Sequence, residues 1–506
     1  MTHIFKPAIL LAPLAFMLPL AATRAAPTAP PATALSAPMA REDRLAQAAG
    51  LIDANKTVEA LSLLDGLLAE ADLPADRGQI EGLRSFALAR QGKVAEARKA
   101  IEFAADTALN PTLLLLRQLF VLRAISGDAP AAGQALQLIA VSNPKWLAEL
   151  PSELVSQVLV AITDADQKFD LAFTLVSADY GPRDETVAAG DGLKLLVITG
   201  LATRDRLDEA LPIIEKLINP VSLVRLAIDR RYQSLWPALE KRLGPGADLA
   251  DAVYLKASKA ALDKAPDDVT ARLGHAQALN IASQEKDALA LADTAQTAEA
   301  MAKLPDNGLW LVNLSAQLLA DLGQVDAGLA RFMAAATLDA NGRPSLTGLL
   351  INHALLADQV GRIDAALAAA DVAERKMGED MNDFGQLYLA GVRACARHRQ
   401  GNAAAATTAL APLLAAPERN DDAYFQAMLC VGRADDAARA IIKRLDDPAR
   451  RSEALFELQP FLILDHAALP GRRSRADLRA LKARPDVKAA FAKWGRDLPA
   501  AVSPPR

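Results

Sequence analysis

Two cysteines occur in the 506 residues, Cys395 and Cys430, and the five histidines are His3, His275, His353, His398 and His466. A structural zinc site needs four close Cys or His ligands, and two distant thiols cannot supply it alone. No His-Glu-x-x-His sequence is present, so a helix-borne pair of metal-binding imidazoles is excluded. His275 and His353 each stand eight residues before a turn residue, at equivalent places in a repeat, which argues for packing over metal binding. An oxidising compartment permits a disulfide. Two small buried thiols are the preferred expectation, because packed helices sit about 8–10 Å apart and a bridge wants Cα atoms within about 7 Å. Glu374, Glu379, Asp380 and Asp383 cluster at the loop MGEDMND but lack the spacing of a calcium loop. A phosphate-binding Gly-rich loop, a Gly-x-Ser-x-Gly elbow and a Cys-x-x-Cys pair are all missing, and GPGAD (244–248) lacks the following Lys-Ser/Thr. No catalytic constellation is present, so no enzyme activity, cofactor or metal is expected.

One charged segment stands out. Residues 471–496 carry nine Lys or Arg against Asp477 and Asp486, a local +7 in a chain of net charge −5. Arg472, Arg473, Arg475, Arg479, Lys482 and Arg484 are the candidate patch for an anionic partner such as headgroups or an acidic protein surface. The competing reading is a solvated capping helix docked by Phe491 and Trp494. The near-balance of 56 basic and 61 acidic residues argues against a nucleic-acid binder, which would be strongly basic.

The first residues read as an address. Lys6 precedes an apolar run from Ile9 to Ala22, with Thr23 and Ala25 at the −3 and −1 places of a cleavage site. This is the pattern of a secretory signal peptide over 1–25. Pro7, Pro13 and Pro19 interrupt the run, and it is too short for the ~20 apolar residues of a spanning helix. A Pro/Ala-rich linker is expected over 26–40, so the mature chain should be periplasmic with no stable membrane span, peripheral envelope association being compatible.

The elements that must position any site are helical throughout. Apolar residues recur at three- and four-residue spacing, without strand alternation. A turn residue followed five positions later by a small one recurs as Asn55/Ala60, Gly92/Ala97, Gly127/Ala132, Asp205/Ala210, Ser283/Ala288, Gly323/Gly328, Gly361/Ala366, Gly401/Ala406 and Gly432/Ala437, with Asp166/Leu171 as a looser copy. Most steps lie between 35 and 40 residues, and 229–243 is the remnant of a degenerate unit in the widest gap. The turn needs a residue that tolerates left-handed geometry. The small residue lets the second helix approach the first, and a lone hairpin must stack on neighbours to bury its faces.

This pattern resembles the tetratricopeptide repeat family. Counted from Leu309, Ala316, Leu319, Gly323, Gly328, Phe332 and Ala335 fall on that motif's places, and Ala340 replaces its closing Pro. The close matches are 309–340 and 348–373, while the spacing covers roughly 400 residues. The resemblance implies an all-α, right-handed α-solenoid of about ten hairpins over 41–446, capping helices over 447–497 and a disordered tail over 498–506. It also implies a concave face lined by first helices: Trp310, Asn313, Gln317, Ala320 and Asp321, then Leu355, Asp358 and Gln359, then His398 and Arg399. Such a face implies a scaffold that holds a protein or peptide partner without covalent chemistry, and the signal peptide with the alanine-rich composition points to an exported bacterial one. The alternative it implies is an accessory subunit of an envelope machine for exopolysaccharide export or cell-wall assembly.

Overall fold

The computed structural model describes residues 40–181, 186–378, 381–460 and 472–504, with 472–474 described in backbone only. The expected signal peptide, the linker before Ala40, and His3, Glu379, Asp380 and His466 lie outside the described residues. The chain divides after Asp164 into two compact units.

The first unit holds α1 (Arg41–Asp53), α2 (Thr57–Glu70), α3 (Pro74–Arg90), α4 (Val94–Thr107), α5 (Leu113–Ile125), α6 (Ala129–Ser142) and α7 (Ser152–Ala161). The second begins with α8 (Ala165–Ser177), α9 (Asp191–Ala202), α10 (Leu211–Ile214), α11 (Pro220–Ile228), α12 (Trp236–Leu243), α13 (Asp248–Lys264), α14 (Val269–Ile281), α15 (Glu285–Ala292) and α16 (Ala298–Ala302). It continues with α17 (Leu309–Asp321), α18 (Val325–Ala335), α19 (Ser345–Gln359), α20 (Ile363–Met377), α21 (Asp383–Arg399), α22 (Ala403–Ala415), α23 (Asp421–Cys430) and α24 (Ala434–Asp446). It ends with α25 (Arg451–Glu457), α26 (Arg472–Ala483) and α27 (Pro485–Trp494). Among the described residues there is no strand, and the fold is an all-α solenoid in which, within each unit, neighbouring hairpins pack on one another.

The turn chemistry read from the sequence builds the hairpins. Gly323 has φ 83°, its N–H donates to the Ala320 carbonyl at 3.0 Å, and the Gln324 N–H donates to the Leu319 carbonyl at 2.7 Å. That pair of bonds satisfies the last carbonyls of α17 and reverses the chain. Asn55, Gly92, Gly127, Asp205, Ser283, Gly361, Gly401 and Gly432 repeat the left-handed turn conformation with φ between 54° and 78°. The residue five positions later is buried in all nine units. The tenth copy needs correction. Asp166 lies in the first turn of α8, where a carboxylate suits the positive end of the helix dipole, and the left-handed residue there is Asp179, after α8. Leu171 is buried as expected.

At Gly328 the approach is closer than at its Ala counterparts. A Cβ there would stand 2.5 Å from the Ala316 carbonyl oxygen on α17. Backbone cannot swing aside as a side-chain tip can, so Gly328→Leu is expected to cost about 1–3 kcal/mol through overpacking. An unchanged midpoint in thermal or urea unfolding would dispose of this assignment.

Curvature follows from which helices crowd. The first helices α17, α19, α21 and α23 pack side by side, whereas the second helices α18, α20, α22 and α24 make no comparable contact with one another. First helices therefore line the inner side of this part of the stack.

The C-terminal segment does more than cover the last hairpin. It returns to the region 220–247, which includes the degenerate unit. The Arg496 N–H donates to the Ile228 carbonyl at 2.9 Å, its Nε to the Ala227 carbonyl at 2.8 Å, and its Nη2 to Glu240 Oε1 at 2.6 Å. The same guanidinium lies 3.6 Å over the Trp236 ring. Arg230 donates to the Ala492 carbonyl and Arg231 to the Pro448 carbonyl. Gly495 fits between strands of backbone and side chain, since a Cβ there would stand 2.8 Å from the Ile228 oxygen. The tail also departs from expectation. Leu498 and Val502 are buried, and residues 500–502 form a short turn of helix against residues 245–247. Apolar burial and a bond from the Leu498 N–H to Gln459 Oε1 hold it in place.

Candidate functional site

The expected inner face divides into open and engaged residues. On α17, Trp310, Asn313 and Gln317 are partly buried and Asp321 is exposed; on α19 and α21, Gln359 and His398 are exposed. Trp310 packs on the next first helix, its ring tip occupying the space a Cβ on Gly348 would need. Asn313 Oδ1 accepts from Asn352 Nδ2 at 2.8 Å, joining α17 to α19. Each carboxamide keeps further donors and acceptors for a ligand. The sequence reading missed Asn352. Its signal was an Asn 39 residues beyond Asn313, one more than the 38 separating Gly323 from Gly361.

Asp358 and Arg399 are not a free pair of groove residues. Asp358 is 8% exposed, and Arg399 donates both to its carboxylate and, at 2.7 Å, to its backbone carbonyl. Burial pushes the Asp358 carboxyl up to about 6, and the Arg399 guanidinium holds back part of that rise. Their role is to tie α19 to α21.

Beside them, Cys395 and Cys430 are joined as a disulfide, which corrects the expectation of two separate thiols. Their Cα atoms are 5.7 Å apart. The generic helix spacing does not apply because the α21–α23 contact is made by small residues. A Cβ on Gly391 would stand 3.6 Å from the Ala423 carbonyl and 3.7 Å from the Ala427 methyl. Small residues at a contact bring helix axes closer than bulky ones do.

His275 and His353 behave as packing groups. His275 Nδ1 is bonded to the Ser258 hydroxyl at 2.9 Å. His353 stacks on Phe332 with centroids 5.7 Å apart, and its Nδ1 is buried without a hydrogen bond among the described residues. Burial drives the His353 pKa down to about 4. The unfolded chain titrates near 6.5 and so takes up the proton first as pH falls. The neutral ring's contribution is complete above about pH 6.5 and is lost between there and about pH 4, a span worth roughly 3 kcal/mol. His353→Leu should therefore flatten the acid limb of unfolding free energy against pH. Parallel wild-type and variant profiles between pH 4 and 6.5 would contradict it.

The basic patch is partly consumed internally. The side chains of Arg472 and Arg473 lie outside the described residues. Arg475 is partly buried, which lowers its pKa, with Asp321 of α17 opposing that shift. The two surfaces inferred separately from sequence thus meet at Arg475 and Asp321. Lys482 donates to the Leu458 carbonyl, pairs with Asp497 and lies over the Phe491 ring. Arg484 pairs with Asp435 and Asp486, while Arg479 is exposed. A cleft of about 610 Å³ opens among Arg230, Arg475, Arg479, Lys488 and Arg496. Residues 461–471 lie outside the described residues. No described helix is long and apolar enough to cross a membrane.

No protein-family model matches the chain, and no curated protein matches it. Solved structures give distant likenesses. The APC/C hetero-tetramer Cut9–Hcn1 aligns at 11% identity and TM-score 0.28, over 89% of each chain. The Rap protein complexed with Competence and Sporulation Factor aligns at 13% identity and TM-score 0.28, over 89% of this chain and 98% of that one. Naa15/Naa10 bound to HypK aligns at 12% identity and TM-score 0.26, over 89% of this chain and 79% of that one. Scores this low transfer neither a topology nor a ligand, and the partners in those names belong to those proteins.

Proposed function

We propose that this chain is an exported, non-enzymatic binding scaffold whose inner face holds a protein or peptide partner in the periplasm. The observation that supports it is the partly buried Asn313–Asn352 contact, set between Trp310 and Gln317 on the crowded side of the stack. Carboxamides offer donors and acceptors together, which is what an extended peptide backbone needs on both of its edges. The mechanism is multivalent surface recognition, with Gln359 and His398 extending the polar row. The envelope-machine alternative rests on the family resemblance alone and is decided by the partner's identity.

The test places a photo-crosslinking residue at Gln317 in the full chain in living cells, with Met333 as control. Met333 lies on the second helix α18 and is 60% exposed. One discrete adduct from position 317, lost in a variant carrying Asn313→Asp and Asn352→Asp and absent from position 333, is the expected result. Equal capture from both positions would reject the inner face as the binding surface. Cell fractionation with N-terminal sequencing should find the chain in the periplasm, beginning close to residue 26; a cytoplasmic chain with intact Met1 would reject export.

A further inference from the structure

The disulfide has an acidic neighbour that the binding role does not use. The ligand-capable atoms of Asp358, Cys395 and Cys430 all lie within 4.8 Å of one another, with Asp358 and Cys395 buried and Cys430 partly so. Thiolates and carboxylates bind zinc at about 2.0–2.3 Å, so ligands of one ion stand at most about 4.6 Å apart. The trio is within a few tenths of an ångström of that limit. The three residues come from three successive first helices, α19, α21 and α23, so their convergence is a property of the stack.

Charge decides when such a site can fill. In the disulfide form the Asp358 carboxylate and the Arg399 guanidinium on it cancel. Reduction adds two thiols. A bound divalent cation displaces their protons, so that two thiolates and a carboxylate face one guanidinium and the excess of two negative charges in this mostly buried place is matched by the ion. Buried charge of that kind requires compensation, and one divalent cation supplies it. Arg399 then serves as the outer partner that orients the carboxylate.

We infer that the reduced Cys395–Cys430 pair, together with Asp358, forms a redox-gated site for a single thiophilic divalent cation of the zinc class. The balance is simple. A phosphine reductant and one water give two protein thiols and a phosphine oxide, with two electrons passing to the sulfurs. Metal binding then releases the two thiol protons. With three protein ligands, the fourth coordination position goes to water. A small-molecule disulfide reforms the bridge by thiol–disulfide exchange, taking two electrons from the two thiolates and leaving as two small-molecule thiolates, and the ion is released, so the site reports the thiol–disulfide balance of the surroundings. The inference is independent of what the inner face binds.

The test uses the full chain, reduced with a phosphine and freed of reductant under anaerobic conditions, then titrated with Co²⁺ as a spectroscopic stand-in for Zn²⁺. One equivalent should bind, with thiolate-to-metal charge-transfer absorption and about two protons released. Zn²⁺ should displace it. The oxidised chain should show no such absorption. Cys395→Ser should abolish the signal, and Asp358→Asn should weaken binding at least tenfold. Circular dichroism confirms that each variant is folded. The oxidised wild type is a control that involves no substitution. Absence of charge-transfer absorption in the reduced wild type overturns the site. Equal binding in the oxidised and reduced chains, or unchanged affinity in folded Asp358→Asn, overturns it as well.

Discussion

Arg444→Ala is expected to destabilise the end of the second unit by about 3–5 kcal/mol, the range for a buried ion network that loses one partner. Arg444 is 4% exposed. Its Nη1 donates to Glu457 Oε2 at 3.0 Å, its Nη2 lies 2.9 Å from Asp422 Oδ1, and its guanidinium sits over Phe425. Arg450 shares the acids, reaching Asp421 at 2.7 Å and Asp422 at 3.0 Å. Without Arg444, Asp421 and Asp422 would be left to Arg450, and Glu457 would lose the guanidinium that bonds it. Glu457 is already strained electrically, since burial pushes its pKa up and Arg444 is the main influence opposing that. A carboxyl whose folded pKa is raised binds its proton more tightly in the native state. The deficit of Arg444→Ala should therefore shrink as pH falls towards the ordinary carboxylate range. Adding Glu457→Gln should recover part of the loss at neutral pH. Urea unfolding at neutral and acid pH measures both effects. A deficit below 1 kcal/mol, or one that grows in acid, would show that the network does not hold this end.

The second large effect concerns the return of the chain to its middle. Arg496→Ala removes two charge-assisted donors, those to the Ala227 carbonyl and to Glu240, together with the cation held over Trp236. Hydrogen bonds from a charged group contribute about 1.5–3 kcal/mol. A cation over an aromatic face adds about 0.5–2 kcal/mol. Since the sum overlaps and Glu240 is partly solvated, a loss of about 2–4 kcal/mol is expected. Its location is diagnostic. Amide hydrogen exchange should accelerate in 485–502 and in 220–243 together, with residues 41–161 unchanged. Faster exchange confined to 485–502 would mean that the middle region does not depend on the returning segment.

These two sites also explain the irregular stretch of sequence. The run DRRYQSLWPALEKRL breaks the repeat because several of its side chains serve the returning C-terminus. Arg230 and Arg231 bond carbonyls at 492 and 448, while Trp236 and Glu240 receive Arg496. Residues committed to such a dock cannot also obey the motif.

The sequence alone determined the hairpins. A left-handed turn is a local property of one residue and its two flanking helices, so Gly323, Gly361 or Asn55 declares it without reference to anything distant. The small residue five positions on is equally local, because it meets only the helix just finished. For that reason nine of the turns hold, and the exception, Asp166, is a position where a polar residue favours a helix start as readily as a turn. The inner face was legible only in part. Periodicity picks out first-helix positions, but it cannot tell an open carboxamide such as Gln359 from a carboxylate such as Asp358 taken up by Arg399 from the next repeat. What the tertiary structure decided are contacts whose partners lie far apart in the chain. The Cys395–Cys430 bridge depends on how closely Gly391 lets α21 approach α23. The docking of Arg496 on Trp236 depends on how the curvature of many hairpins accumulates. Each hairpin contributes a small rotation, and only their sum brings residue 496 to residue 228.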